Sequence, residues 1–560
     1  MFASDWQWRL QNNPEFATTI GDHRYDATLS DTSLAASRAA TAHERKMLDQ
    51  ARLIERDRLT GQQQLSYDLF IEQKERALKA AAFYPYRLQL LTAQDGLHLT
   101  FPRLVAQMPF ATEADYRNYL ARIDALPAHV DGLIEQMREA LRSGWSAPRP
   151  ALRALPAMLR QLRESLPNGT LSLPFREIPG AIAKPVRDDL AVAGPAALRT
   201  KAAPALQKLE DFVRTEYLPA ARETIAASSL PGGADYYQFA ILDNAGTAMT
   251  PAAIHALGLK EVARLGGEMN AAIARTGFRG SFRQFAVFAN SDPRLFYATP
   301  EQLLARYRRL VARAAAGLPR LFESRLAEPL GVKPAQDGGA EFQGAAYYQA
   351  AADGQPAALV INTARLAARP LWETETLALH EGVPGHHLQV ARAHELADLP
   401  EFRRFGWYPA FGEGWALYAE SLGPELGFFA EPFSAFGHLN SDLLRAARLV
   451  ADTGIHAMGW SRQQAIDYLG ANTANPASDN EIEVDRYIAA PGQALAYKIG
   501  QLRIKALREK AQAALGAKFD LRRFHSAVLD NGALPLSILE QQVDRWIRAA
   551  AAASKAAPAG

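Results

Sequence analysis

The sequence predicts a mainly α-helical fold: a large multi-helix molecule with two helical lobes around a cleft and one small β-hairpin or sheet near the site. Three observations carry this. Helix start and stop signals recur along the chain. Only one pair of segments reads as strands. The 560 residues exceed the size at which a single core stops growing, so more than one lobe is expected.

In chain order, the first strongly marked element is TEADYRNYLARIDALPAHVDGLIEQMREALRSG. Thr112 and Asp115 form a capping box, and apolar residues follow at helical spacing. A break is expected near Pro127, and Gly144 ends the run after basic Arg142. Proline-rich stretches near residues 146–156 and 164–185 separate an N-terminal helical lobe, residues 1–150, from a lobe carrying the site, residues 151–550. Thr250-Pro251 and Thr299-Pro300 each place a cap and then proline at the first helical position. EFQGAAYYQAA and AALVINTAR carry Tyr, Val and Ile around the turn dipeptide Asp353-Gly354, which predicts a β-hairpin. SRQQAIDYLGANT and LPLSILEQQVDRWIRAAAAA supply later helices, and residues 551–560 read as a disordered tail. No fixed-period repeat is present, which disfavours a solenoid.

Composition narrows the partners. The 62 basic and 60 acidic residues leave a formal charge of +2 without a long basic block, which argues against nucleic acid. No apolar run approaches the roughly 20 residues that span a bilayer. The start, MFASDWQWRLQNNPEF, lacks a basic segment followed by an apolar one, so it is not read as a signal peptide. The location is periplasmic or secreted if an export signal was removed, and cytoplasmic otherwise. The chain has no cysteine, so any metal must be held by His and carboxylates.

The chemistry concentrates in TLALHEGVPGHHLQ. His380, Glu381 and His386 are read as the core of a divalent-metal site, most simply zinc, with other divalent transition metals accepting the same donors. In the motif His-Glu-x-x-His, two histidines four apart share one helix face, about 6 Å apart along the axis. Here the fourth residue is Pro384, which cannot bind metal. On a straight helix His386 lies roughly 240° around from His380, and His387 about 10 Å along the axis. Neither fits. Pro384 removes a helical hydrogen bond, and Gly382 and Gly385 permit unusual backbone angles, so a break at residues 382–385 is expected to bring His380 and His386 together. A third ligand is then needed. In FGEGWALYAESLG, Glu413 follows Gly412 and opens a helical stretch, and Glu420 lies two turns on, near the same face.

HEGVPGHHLQ, EGWALYAE, RLVADTGIHAMGWS, DRYIAAPGQALAYKIG and the opening WQWRLQNNPEFATTIGDHRYDATLSD resemble the bacterial domain of unknown function 885 family across nearly the whole chain. The resemblance implies a mostly helical fold, similar to thimet-oligopeptidase-like and carboxypeptidase-like zinc enzymes, and a metallopeptidase activity. The family pattern, His-Glu, three residues, Gly-His, points to His386 over His387 as ligand. The run around Glu413 also resembles the Asn-Glu-Gly-Phe-Ala helix of aminopeptidase N-like enzymes, which favours Glu413 as the third ligand and leaves Glu420 as an outer partner or alternative. By analogy with the thimet-like enzymes, Tyr487, Tyr497 and His456 are candidate oxyanion donors. Arg486 and Lys498 are candidates for a substrate carboxylate. Tyr347, Tyr348 and Asn362 would line the cleft if the hairpin presents an edge to extended peptide.

The expected function is a zinc-dependent hydrolase cleaving short peptides, with Glu381 as general base. The same ligands would serve an esterase or amidase on a non-peptide substrate. A non-catalytic helical binding protein with a vestigial site is a further alternative, against which an intact Glu381 argues.

Overall fold

The computed structural model describes residues 1–83, 91–323, 326–335, 344–352, 355–364 and 366–553. The fold is mainly α-helical with one small sheet. Numbering only the helices used below, α1 is Phe2–Asn12, α2 Leu34–Arg52, α3 Gly61–Ala82, α4 Glu113–Ser143, α5 Pro251–Arg275 and α6 Pro300–Gly317. The three strands β1 (Gly331–Pro334), β2 (Ala346–Gln349) and β3 (Ala358–Ile361) follow. Then come α7 (Thr374–Leu377), α8 (His386–Glu395), α9 (Pro409–Glu420), α10 (Pro432–Met458), α11 (Ala477–Ala489), α12 (Ala496–Leu515) and α13 (Leu536–Ala553).

The caps form as the sequence requires. Asp115 N–H donates to Thr112 Oγ1, Asp115 Oδ2 accepts from Thr112 N–H, and Gly144 ends α4 at φ 76°. Thr250 and Thr299 cap α5 and α6. The expected break at Pro127 is absent, because α4 runs through it. Proline removes one donor. Ile123, Leu126, Val130 and Leu133, all buried on one face, hold the helix across that gap.

The apolar residues form separate clusters. One gathers Leu91 to Ala221 around α4. The largest joins Trp6, Leu10, Leu65 and Phe70 of the first helices to residues between Tyr236 and Ile547. Phe2 and Phe70 pack on Phe402, and Trp6 stacks on Phe405. Buried Arg403 reaches back to Gln62 and Ser66. The opening helices are therefore built into the body that carries the site.

The hairpin strands pair antiparallel, Tyr347 opposite Val360. The sequence did not mark β1, which pairs parallel with β3 and gives the order β1-β3-β2. All four residues of β3 are buried at the centre, and β2 is an edge strand. The turn at Asp353-Gly354 lies outside the described residues, as do residues 554–560 of the predicted tail. Residues 551–553 continue α13. Among the described residues, no helix is long and apolar enough to cross a membrane.

Candidate metal centre

The helix that starts at Thr374 is broken where the sequence demanded. α7 passes into a wider π-type turn over Ala378–Gly382, Val383 is extended, and α8 begins at His386. Gly385 makes the reversal possible. A Cβ there would lie 1.9 Å from His380 O and 2.3 Å from Leu379 O, so only glycine allows this approach. The two imidazoles meet edge to face with centroids 4.9 Å apart. Ligand atoms of His380, Glu381 and His386 all lie within 4.8 Å of one another.

The neighbouring wall is α9. It crosses α12 with backbones almost touching: a Cβ on Gly500 would lie 2.0 Å from Ala410 O, and one on Gly414 2.4 Å from Gly500 Cα. That crossing sets Glu413 against the histidines. Its Oε2 is 3.4 Å from His386 Nε2 and 3.7 Å from His380 Nε2. It is buried and has no hydrogen bond. Two ligands about 2.1 Å from one tetrahedral ion lie about 3.4 Å apart, so the two separations from Glu413 Oε2 are close to that of a ligand pair. Burial alone would raise the Glu413 carboxyl, but His380 and His386 outweigh it and hold it well below the usual carboxylate range. Burial would likewise depress His380, yet Glu413 and Glu420 push it up to about 9. Carboxylates and imidazoles here thus hold one another's charge.

Behind His380, fully buried Glu420 Oε1 takes its Nδ1 at 2.7 Å, and Ser441 Oγ donates to Glu420 Oε2 at 3.1 Å. Glu420 therefore engages the nitrogen that faces away from Glu413. Such carboxylate–histidine pairs fix the ring and its tautomer. His387 turns elsewhere: its Nε2 donates to Glu328 O, and Nδ1 meets Tyr348 Oη at 3.3 Å.

These groups open on a cleft of about 620 Å³. Tyr347, Tyr348, Arg486 and Tyr497 of the sequence candidates line it with His380, Glu381, His386 and Glu413. Tyr497 stacks nearly parallel to His380 at 6.3 Å, and Arg486 Nη2 donates to Tyr497 Oη at 2.9 Å. Asn362 N–H donates to Ala345 O, so odd-numbered residues of β2 face β3 and Ala346 and Tyr348 turn their backbone outward. Tyr348 N–H donates to Glu381 Oε2 at 3.0 Å.

Four candidates do not reach the cleft. His456 is buried, accepts from Ala227 N–H at Nδ1 and donates from Nε2 to Tyr487 O. Burial lowers it to about 4, so it is a neutral clamp. Tyr487 is buried and donates to Glu483 at 2.7 Å. Lys498 is buried against Asp442 at 2.7 Å and Glu261 at 3.3 Å, tying α12 to α10 and α5. Asn362 is buried and bonds Gly344 O and Ala364 N–H at the root of β2. For the three that lie on helices, spacing assigns a residue to a face but not the element which that face packs against. Sequence reasoning also missed Trp407, Ser441 and Arg445 on the cleft wall. The Ser441–Arg445 spacing of four on one helix was the available signal.

Fold and site together define a helical protein whose buried His/Glu cluster opens on a cleft between its walls. The chain belongs to the family described as "Bacterial protein of unknown function (DUF885)", matched over residues 14–543. Two solved structures share the fold. One, described as a "putative lipoprotein" from Colwellia psychrerythraea, is 28% identical with a TM-score of 0.93, covering 98% of each chain. The other, a "putative lipoprotein of unknown function" from Shewanella oneidensis, is 17% identical with a TM-score of 0.68, covering 96% of this chain and 97% of its own. No curated protein matches.

Proposed function

We propose that the protein is a zinc-dependent hydrolase that cleaves short peptides. The observation that carries this is Glu413 Oε2, buried without a hydrogen bond, at ligand-pair spacing from two imidazoles. His380, His386 and Glu413 would hold the ion, with Glu420 orienting His380. A divalent ion there would supply a Lewis acid and would lower the pKa of water toward neutral pH.

The chain's own groups do the rest. Glu381, beside both histidines, takes the proton of the attacking water and returns it to the leaving nitrogen. The water oxygen joins the carbonyl carbon as the C–N bond breaks. Tyr497 Oη accepts from Arg486, which leaves its own O–H free to donate to the oxyanion. The outward backbone of Ala346 and the carbonyl of Tyr348, whose N–H is held by Glu381, offer an edge for an extended peptide, which favours peptides over isolated esters.

The test is metal analysis with peptide cleavage. The wild type should hold one zinc per chain, and His386→Ala should lose it. Glu381→Gln should keep the metal and lose about 100-fold or more in kcat. Absence of metal under zinc-replete conditions, or full activity of Glu381→Gln, would overturn the reading.

A further inference from the structure

Four guanidinium groups face the cleft, and three are held by carboxylate, amide, hydroxyl or carbonyl acceptors, although Arg448 Nη1 is itself buried without a partner. Arg448 pairs with Glu483 at 2.9 Å. Arg486 spans Glu483, Gln493 and Tyr497. Arg369 donates to the carbonyls of Asn362 and Ala368. Arg445 differs. Its Nη1 bonds Ser441 O and Oγ, its Nε is buried without a partner, and among the described residues no carboxylate lies within 4 Å of it. The carboxyls that feel its charge are occupied or weakened. Glu420 serves His380 and Ser441, and Glu483 serves Arg448 and Tyr487. Burial pushes Glu373 up to about 7.

We propose that Arg445 anchors the terminal carboxylate of the substrate, so that the cleft works from the C-terminal end of short peptides. The cleavage half of this rests on the hydrolase reading above; the anchor is a binding claim that stands apart from it. One ring separates the two centres. Arg445 Cζ lies 5.8 Å from the Tyr497 centroid, and that ring stacks on His380 at 6.3 Å. The two distances put the guanidinium at most about 12 Å from the His380 ring; the guanidinium–carboxylate contact takes up about 4 Å of this and extended chain advances roughly 3.4 Å per residue, so one or two residues bridge the bond to be cut and the anchored carboxylate. The cleft's shape agrees. Cavities of about 1070 and 270 Å³ adjoin it on the Trp407 side, through Arg486 and through Tyr347 and Tyr348. The rest of the peptide has room there, while Arg445 belongs to the wall formed with Asn440 and Ser441. A guanidinium fork suits a carboxylate through two parallel hydrogen bonds.

The probes are acetyl-tetra-alanine as free acid and as C-terminal amide, titrated calorimetrically into zinc-loaded Glu381→Gln protein and digested by the wild type. The acid should bind at least tenfold more tightly. Adding Arg445→Met should bring the acid to the affinity of the amide with the zinc content unchanged. Digestion of the acid should release one or two C-terminal residues. Equal binding of acid and amide, or a preference that survives Arg445→Met, overturns the anchor. The acid/amide comparison needs no new variant. Should Arg445→Met fail to fold, Arg445→Lys should give an intermediate preference, and full retention overturns the anchor. Cleavage of both peptides at equal rates overturns the anchor while upholding the hydrolase. Arg445-dependent binding of the acid without cleavage of either upholds the anchor and overturns the hydrolase.

Discussion

Asp452 shows how strongly single side chains are set by their surroundings. It lies fully buried in α10, accepting from Tyr237 Oη at 2.5 Å and from Gly492 N–H. Burial, only partly offset by these donors, raises its carboxyl from 3.8 to about 7. The folded state therefore holds the proton more tightly than the unfolded chain. This contribution is intact below about pH 4 and is lost as pH rises toward 7. Asp452→Asn, which carries no charge, should melt at the wild-type temperature near pH 4 and above it at pH 8. Melting curves across that range check the sign, and a constant difference would sink it. At the same scale, Glu420→Gln should weaken zinc binding by about 10- to 100-fold, because the Nδ1 partner of His380 loses its charge. Zinc titration with a competing chelator measures this.

Among the elements, the crossing of α9 and α12 matters most to the site. Gly500→Ala would push a methyl group into Ala410 O and force the helices apart. Overpacking of this kind costs about 1–3 kcal/mol. Here it should also weaken metal binding, since Glu413 rides on α9. A variant that is less stable yet binds zinc as tightly as the wild type would uncouple the two.

The same elements show what was legible in the sequence. Caps such as Thr112–Asp115 are local chemistry, and they formed as written. The break before His386 was legible because Pro384 and two glycines leave a straight helix no way to serve both histidines. Pro127 was misread because packing along Ile123 to Leu133 outweighs one missing hydrogen bond. β1 was invisible because four residues with mixed burial carry no period. His456, Tyr487 and Lys498 lie away from the cleft because the analogy that named them does not say which way each side chain points.

For the whole molecule, ligand linkage offers a direct measurement. If zinc binds the folded chain and not the unfolded one, excess zinc at about 100 times its Kd adds about 2.7 kcal/mol. Chelation should lower the melting temperature of the wild type. His386→Ala should melt the same with or without chelator.

The contacts of Trp6 with Phe405 and of Gln62 with Arg403 have a kinetic consequence. They join residues more than 300 apart, next to the segment that carries Trp407 into the cleft. Closing so long a loop is slow compared with forming helices such as α4. In refolding, helical signal should therefore return well before the proposed zinc site forms, and if zinc binds there its uptake becomes a clock for the last docking step rather than for collapse.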